Sequence, residues 1–277
     1  MKKILIPVDF STCSEHAAKL ASKIARISKS EAHILHMIEL PKGLIDITTN
    51  KPLSVPQNIL YIQKTKELLK KFSKKFFSKN KKVIQSIVFN NPSEGILSYA
   101  KKINSDLIVM GSKGHSKIEE LLIGSNTHKI TQASKTPVLV VKKDESNFRL
   151  RNLIFASDFN NENTQNKPLS KLIRFAKKFK STFHLLKINT PSVFENTQLS
   201  KEKMIRFANK HKLLKYTINM QNDSSIEEGI VNFTNELSGD IVALESYGRS
   251  AISHFYNRSI TKHVAESALK PTIMFKT

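Results

Sequence analysis

Short apolar runs alternate with segments whose apolar residues recur every three or four positions. Ile4 to Val8 is an apolar run with the length of a buried strand, and it ends at Asp9. Thr12-Cys13-Ser14-Glu15 has capping-box spacing, so a helix is expected to start there. Ala17, Leu20, Ala21 and Ile24 repeat at helical spacing and form its buried face. Ala32 to Ile38 reads as a second strand. Residues 40–58 hold three prolines and little periodicity, so a long excursion loop is expected. Residues 59–79 read as a helix with the apolar stripe Leu68, Leu69, Phe72 and Phe76. Val83 to Phe89 is a third strand. Ser93 can cap a helix whose inner face includes Ile96, Ala100 and Ile103. A strand Leu107 to Met110, a helix His128 to Ser134 and a strand Pro137 to Val141 follow.

The pattern then repeats. Leu153-Ile154-Phe155-Ala156-Ser157-Asp158-Phe159 matches Leu5 to Phe10, with Asp158 in the place of Asp9. Phe183 to Ile188 matches the second strand, Glu228-Gly229-Ile230 matches Glu94-Gly95-Ile96, and Pro271-Thr272-Ile273 matches Pro137-Val138-Leu139. The join falls near Asp144 to Asn147, which divides the chain into residues 1–146 and 147–277. Strand and helix alternating in this way argue for an α/β fold of two tandem, doubly wound parallel-sheet units. In such sheets ligands bind beyond the carboxyl ends of the strands, where the strand order switches. Asp9 and Gly111 both sit at such ends, so one crevice can hold both.

Length and composition narrow the class. The 277 residues suit one large domain or two of ordinary size, and 39% hydrophobic residues suffice for packed cores. The single cysteine, Cys13, excludes an internal disulfide and points to a reducing compartment. The N-terminus enters a strand directly, and no stretch approaches the roughly 18 apolar residues of a membrane span. A cytoplasmic protein without a membrane partner is expected. Basic residues exceed acidic ones by 45 − 23 = 22, a balance that suits anionic partners such as nucleotides, nucleic acid or acidic lipid. A lysine-rich composition could also follow from a biased genome. Lys64 to Lys82 contains nine lysines and one acid, Glu67. It reads as a solvated helix face, with a nucleic-acid or membrane surface as the rival reading.

The candidate chemistry lies between Met110 and Asn126. Gly111 and Gly114 are separated by two residues, Gly114 and Gly124 by nine, and Ser125 follows at once. Glycines just past a strand let the backbone take positive φ and approach a ligand. Ser125 stands where a helix would begin, with free N–H groups and the positive end of the dipole. That is an anion site in outline, with phosphate the usual anion. Neither the P-loop pattern nor G-x-G-x-x-G is present.

Gly, two residues, Gly, nine residues, Gly, then Ser resembles the ATP-binding signature of the universal stress protein family. Ile4 to Ser11 looks like that family's first strand and turn, Leu35 to Ile38 like its second strand, and Pro137 to Val141 like its last. The resemblance covers essentially the whole chain, as a tandem of two copies. It implies Rossmann-like units of the adenine-nucleotide alpha-hydrolase type and ATP as the ligand. The implied binding residues are Pro7, Val8, Asp9, Met37, Met110, Gly111, Gly114, Gly124, Ser125 and Asn126. Asp9 would meet ribose hydroxyls or the adenine amine, and Met37 would pack on the base. The glycines and Ser125 would cradle the phosphates, with Mg²⁺ bridging phosphate oxygens. Asp9 also reads as a helix cap or turn residue.

The second copy departs from the signature. Glu245 stands for Gly111 and Arg258 for Gly124, and of the three glycines only Gly248 survives. The second half is therefore expected to bind no ATP in the usual way. Arg249 and Arg258 could meet another anion, or simply be surface residues. His115 reads as a surface residue that could reach a phosphate, and Cys13 as a small buried filler or a reactive thiol. No catalytic constellation is legible, so an enzyme is not expected. The reading is a nucleotide-responsive stress or regulatory protein. Its rivals are an interaction scaffold without nucleotide, a slow ATPase, and a nucleic-acid module using the lysine-rich helix. The resemblance also implies that the last strands of the two halves pair with each other, giving an internal pseudo-dimer. A homodimer would then use another surface, and any protein partner is left unknown.

Overall fold

The computed structural model of the chain describes residues 1–39, 55–112, 123–145, 148–160, 167–246 and 270–276. The first half runs β1 (Lys3–Val8), α1 (Thr12–Ser28), β2 (Glu31–Ile38), α2 (Val55–Phe77), β3 (Val83–Phe89), α3 (Pro92–Lys102), β4 (Leu107–Gly111), α4 (Ser125–Ala133) and β5 (Val138–Val141). The second half runs β6 (Asn152–Ala156), α5 (Lys167–Phe179), β7 (Thr182–Asn189), α6 (Thr197–Lys210), β8 (Tyr216–Asn222), α7 (Ile226–Glu236), β9 (Ile241–Ser246) and β10 (Thr272–Lys276).

The strands form a ten-stranded sheet in the order β3-β2-β1-β4-β5-β10-β9-β6-β7-β8. The order is a palindrome about the β5–β10 contact, with each strand of the second half in the place of its counterpart. Pairing within each half is parallel, whereas β5 and β10 are antiparallel, with Leu139 opposite Ile273. The two units expected from the sequence thus merge into one sheet and keep their internal symmetry. The runs Val138–Val141 and Thr272–Phe275 are buried, as two-sided cover demands.

One face of the sheet carries a core that crosses the join, from Ile4 and Ile24 to Phe155, Phe175 and Phe275. The other face carries two separate cores, the first of which also takes in Met274 of β10. Leu5, Leu35, Ile96 and Ile130 belong to the first half; Ile154, Ile188 and Ile230 belong to the second. Phe148 and Leu150, just past the join, are buried as well. Residues 146 and 147, on either side of the expected division, lie outside the described residues.

Local chemistry explains several shifted boundaries. The cap of α1 is Ser11, whose side chain accepts from the Ser14 backbone N–H, and not Thr12. Asn91 caps α3, with Pro92 in the first turn, so Ser93 is the recipient of the cap. On α2 the buried stripe is Thr65, Leu69, Phe72 and Ser73, while Leu68 is 51% exposed. The helix turns its second leucine of the Leu68-Leu69 pair inward, because Leu69 lies in the middle of the buried positions 65, 69, 72, 73 and 77 and Leu68 at their edge. Among the described residues, no helix is long and apolar enough to cross a membrane.

Candidate functional site

A cavity of about 340 Å³ opens at the carboxyl ends of β1, β2 and β4. Its walls come from five places in the sequence, with Ser14 of α1 beside them. Pro7, Val8 and Asp9 end β1; Leu35 and Met37 lie on β2; Pro92 and Ile96 lie on α3. Met110 and Gly111 end β4, and Gly124, Ser125, Asn126 and Thr127 start α4. The volume is within the range of small-molecule sites.

Asp9 is fixed by its own turn. Its Oδ1 accepts the Ser11 backbone N–H at 3.0 Å and the Ser11 hydroxyl at 2.6 Å. The same hydroxyl then accepts the Ser14 N–H at 3.2 Å. The carboxylate, the cap and the first turn of α1 are therefore one hydrogen-bonded unit, and Asp9 is both a turn residue and a cavity residue. Phe10 follows it in the left-handed region, at φ 64°, and Phe159 repeats this at φ 55° after Asp158. Such a conformation is uncommon for a bulky residue. The Phe10 ring is held by stacking on His36, with centroids 4.6 Å apart. His36 Nδ1 lies 2.8 Å from the Val8 carbonyl oxygen. Burial lowers the His36 pKa below its ordinary value, against the opposing pull of that carbonyl and of Asp9.

Gly111 has a different reason from the one expected. No glycine among the described residues has positive φ. A Cβ at Gly111 would lie 2.7 Å from the carbonyl carbon of Cys13 and 2.8 Å from its oxygen. The glycine lets β4 pass under the backbone of α1, which is a packing demand. Cys13 is half-buried, and its backbone forms part of this contact. Gly95 works similarly: a Cβ there would come within 2.1 Å of the Met37 methyl carbon. Its absence makes room for the Met37 side chain at the edge of the cavity.

The far end of the cavity is the start of α4. Its cap is Gly124, not Ser125, with extended φ −60° and ψ 148° and no side-chain cap bond. Two other bonds hold the start in place. The Gly124 N–H donates to the Ser112 carbonyl at 2.7 Å, and the Thr127 hydroxyl donates to the Gly111 carbonyl at 2.9 Å. First-turn N–H groups of a helix have no partner within the helix. Here no side chain caps them, and they border the cavity.

Of the implied binding residues, Pro7, Val8, Asp9, Met37, Met110, Gly111, Gly124, Ser125 and Asn126 all line this cavity. Gly114 and His115 lie outside the described residues, as do Gly248, Arg249 and Arg258. Ser14, Leu35, Pro92, Ile96 and Thr127 are additional lining residues. Ile96 read only as a core residue, and only the folded position of α3 brings it and Pro92 to the site. Register places Glu245 opposite Phe275 as Gly111 is placed opposite Val141, so the two are structural counterparts. Among the described residues, no group of three or more His, Cys, Asp or Glu is placed to hold a metal ion.

Comparison with known proteins agrees with the geometry. The family model described as the universal stress protein family matches residues 1–142. The universal stress protein MJ0577 of Methanocaldococcus jannaschii is 34% identical over 157 residues, 52% of this chain and 97% of its own. Universal stress protein YxiE of Bacillus subtilis is 31% identical over 50% of this chain and 98% of its own. The solved structure of a universal stress protein from Archaeoglobus fulgidus superposes with a TM-score of 0.76 at 18% identity, covering 99% of this chain and 98% of that one. That structure spans both halves of the sheet, and the single-copy relatives span about half of this chain: the chain belongs to the universal stress protein family.

Proposed function

We propose that the cavity at the start of α4 binds ATP, and that the protein is a cytoplasmic, nucleotide-responsive stress or regulatory protein. The observation that carries this reading is the pairing of an apolar-walled cavity with an uncapped helix N-terminus at one end and the Asp9 carboxylate at the other. In this reading the base packs between Met37 and Ile96, Asp9 meets a ribose hydroxyl or the adenine amine, and the phosphates lie against Gly124, Ser125 and Asn126. The residues fit the ligand, because the α4 start supplies donors without a side-chain cap. Mg²⁺ would be carried mainly by phosphate oxygens.

Residues 1–146 are proposed as the nucleotide-binding unit and 147–277 as a structural or regulatory unit. Glu245, at the position of Gly111, supports this division, since a carboxylate there would repel phosphate. No base or nucleophile is proposed, and the nucleotide acts as a state signal. The test is to denature purified full-length protein and identify and count any released nucleotide, followed by calorimetry with ATP. About one adenine nucleotide per chain is expected. Two equivalent sites would remove the proposed asymmetry. No nucleotide released, together with no heat on ATP addition, would remove the reading itself.

A further inference from the structure

A second cavity, of about 830 Å³, is lined by both halves of the chain. Asn104 and Asp106, just before β4, form one side. Lys167, Lys171, Arg174 and Lys177 of α5 form the other, and Lys210 and Lys212 at the end of α6 close it. It shares no residue with the cavity near Asp9.

The sequence of α5 separates its two faces. Leu169, Leu172, Ile173 and Ala176 are buried against the core. Positions 167, 171, 174 and 177 are spaced by four, three and three, so their side chains share the opposite face. Ten residues at 1.5 Å each make this a cationic stripe about 15 Å long. Lys171 is anchored in the wall, donating to the Ser105 carbonyl at 2.7 Å. Burial lowers its pKa; Asp106 opposes this and Arg174 adds to it. Among the described residues Asp106 is the one carboxylate lining the cavity, and it already accepts the backbone N–H groups of Lys2 and Lys3 at 2.5 and 3.2 Å. Among the described residues, Arg174, Lys177 and Lys212 enter no ion pair. Six cations therefore converge on one carboxylate.

We infer that this cavity binds a linear chain of phosphates, with inorganic polyphosphate as the ligand class. An extended polyanion satisfies a long stripe better than a single phosphate does, because it neutralises successive cations without paying for separate binding events. Among the described residues the lining includes no Phe, Tyr or Trp, and its one imidazole, His211, packs on Phe207 with centroids 4.5 Å apart. The cavity thus lacks the succession of aromatic platforms that usually holds single-stranded nucleic acid. The recognition is by charge density.

The experiment is calorimetry of the full chain with tripolyphosphate and with longer linear polyphosphate, at several salt concentrations. Tighter binding of the longer chain and a steep fall with salt are expected. Arg174→Glu/Lys177→Glu should weaken binding by about tenfold or more. Lys70→Glu/Lys74→Glu on α2 changes the net charge equally and should weaken it less than about threefold. All four residues are exposed, so folding should survive, and thermal melts verify that. Lys177→Ala/Lys212→Ala offers a second, milder pair from two different elements and should also weaken binding. Ser125→Glu, at the other cavity, should leave polyphosphate binding intact. Equal weakening by the α2 pair, or no measurable binding, would overturn the inference. So would tighter binding of a single-stranded oligonucleotide of equal charge through the same residues, which would make the surface a nucleic-acid interface.

Discussion

At the scale of the residue, burial decides which charges matter. Lys187 is 3% exposed and donates to Glu195 at 2.8 Å and to the Asp158 carbonyl at 3.4 Å. Glu195 also receives Lys203 and the Ser200 hydroxyl. Burial alone would push the Glu195 pKa up, but the hydrogen bonds from Lys187, Lys203 and Ser200 outweigh it and hold the value at about 2. Glu195→Gln should therefore cost about 3 kcal/mol in urea unfolding, since it leaves the Lys187 ammonium buried without its counter-charge. Lys187→Met should cost less, because Glu195 keeps Lys203. A loss under about 0.5 kcal/mol for Glu195→Gln would show the pair to be dispensable. Glu195 and three histidines set the pH response. His36, His184 and His211 all lie below their ordinary 6.5, each chiefly through burial. Each takes up a proton more readily unfolded than folded. Their contribution to stability is complete above about pH 6.5 and is lost as pH falls through their folded values. Glu195 contributes above the ordinary glutamate range and loses that contribution as pH falls toward 2. Stability should thus decline in two stages on acidification, and Glu195→Gln should flatten the lower one. A single stage in the mutant and parent alike would refute the assignment.

At the scale of the element, α4 is where structure and proposed function meet. Ser125 is the first residue of a helix with no side-chain cap. A carboxylate there is favourable for the helix, by about 0.3–1 kcal/mol, but would repel a phosphate at the same spot. Ser125→Glu should therefore keep or raise the melting temperature while lowering ATP affinity by about tenfold or more. Unchanged affinity in a folded variant would place the phosphates elsewhere. The sequence made this element legible because Gly124-Ser125 follows an apolar strand at a distinctive glycine spacing. The role of Gly111 was not legible. Its lack of a Cβ answers the Cys13 backbone, and no sequence spacing reveals a contact between β4 and α1. Met37 was legible by resemblance, but its support was not, because Gly95 lies far from it in sequence and meets it only in the fold. Helix starts drifted by a residue or more wherever adjacent polar residues competed to cap. Ser11 was preferred to Thr12 because it alone is bound on both sides, to Asp9 and to Ser14.

At the scale of the whole molecule, the β5–β10 pair makes the two halves a single object. Alternation and repetition were enough to read two parallel units from the sequence. Their joining by the last strands came from resemblance, since apolar runs alone do not say which partner they take. The pairing sets Thr272 opposite Val140, Ile273 opposite Leu139 and Met274 opposite Val138. Phe275 stacks on Phe155, with centroids 6.0 Å apart, so β10 is also packed within its own half. A chain ending at Lys270 would lose β10 and leave β5 as an open, four-residue apolar edge. Exposed edges of this kind recruit another chain. In the intact protein the covalent connection keeps the effective concentration of β10 near β5 high, which favours the internal pair over pairing between chains. The truncated chain should therefore dimerise or precipitate, read by light scattering after size-exclusion chromatography, and should unfold at lower urea than the parent. Adding Leu139→Lys to the truncated chain should suppress the association by charging the edge. A truncated chain that stays monomeric and as stable as the parent would show that β5 does not depend on β10 for its cover.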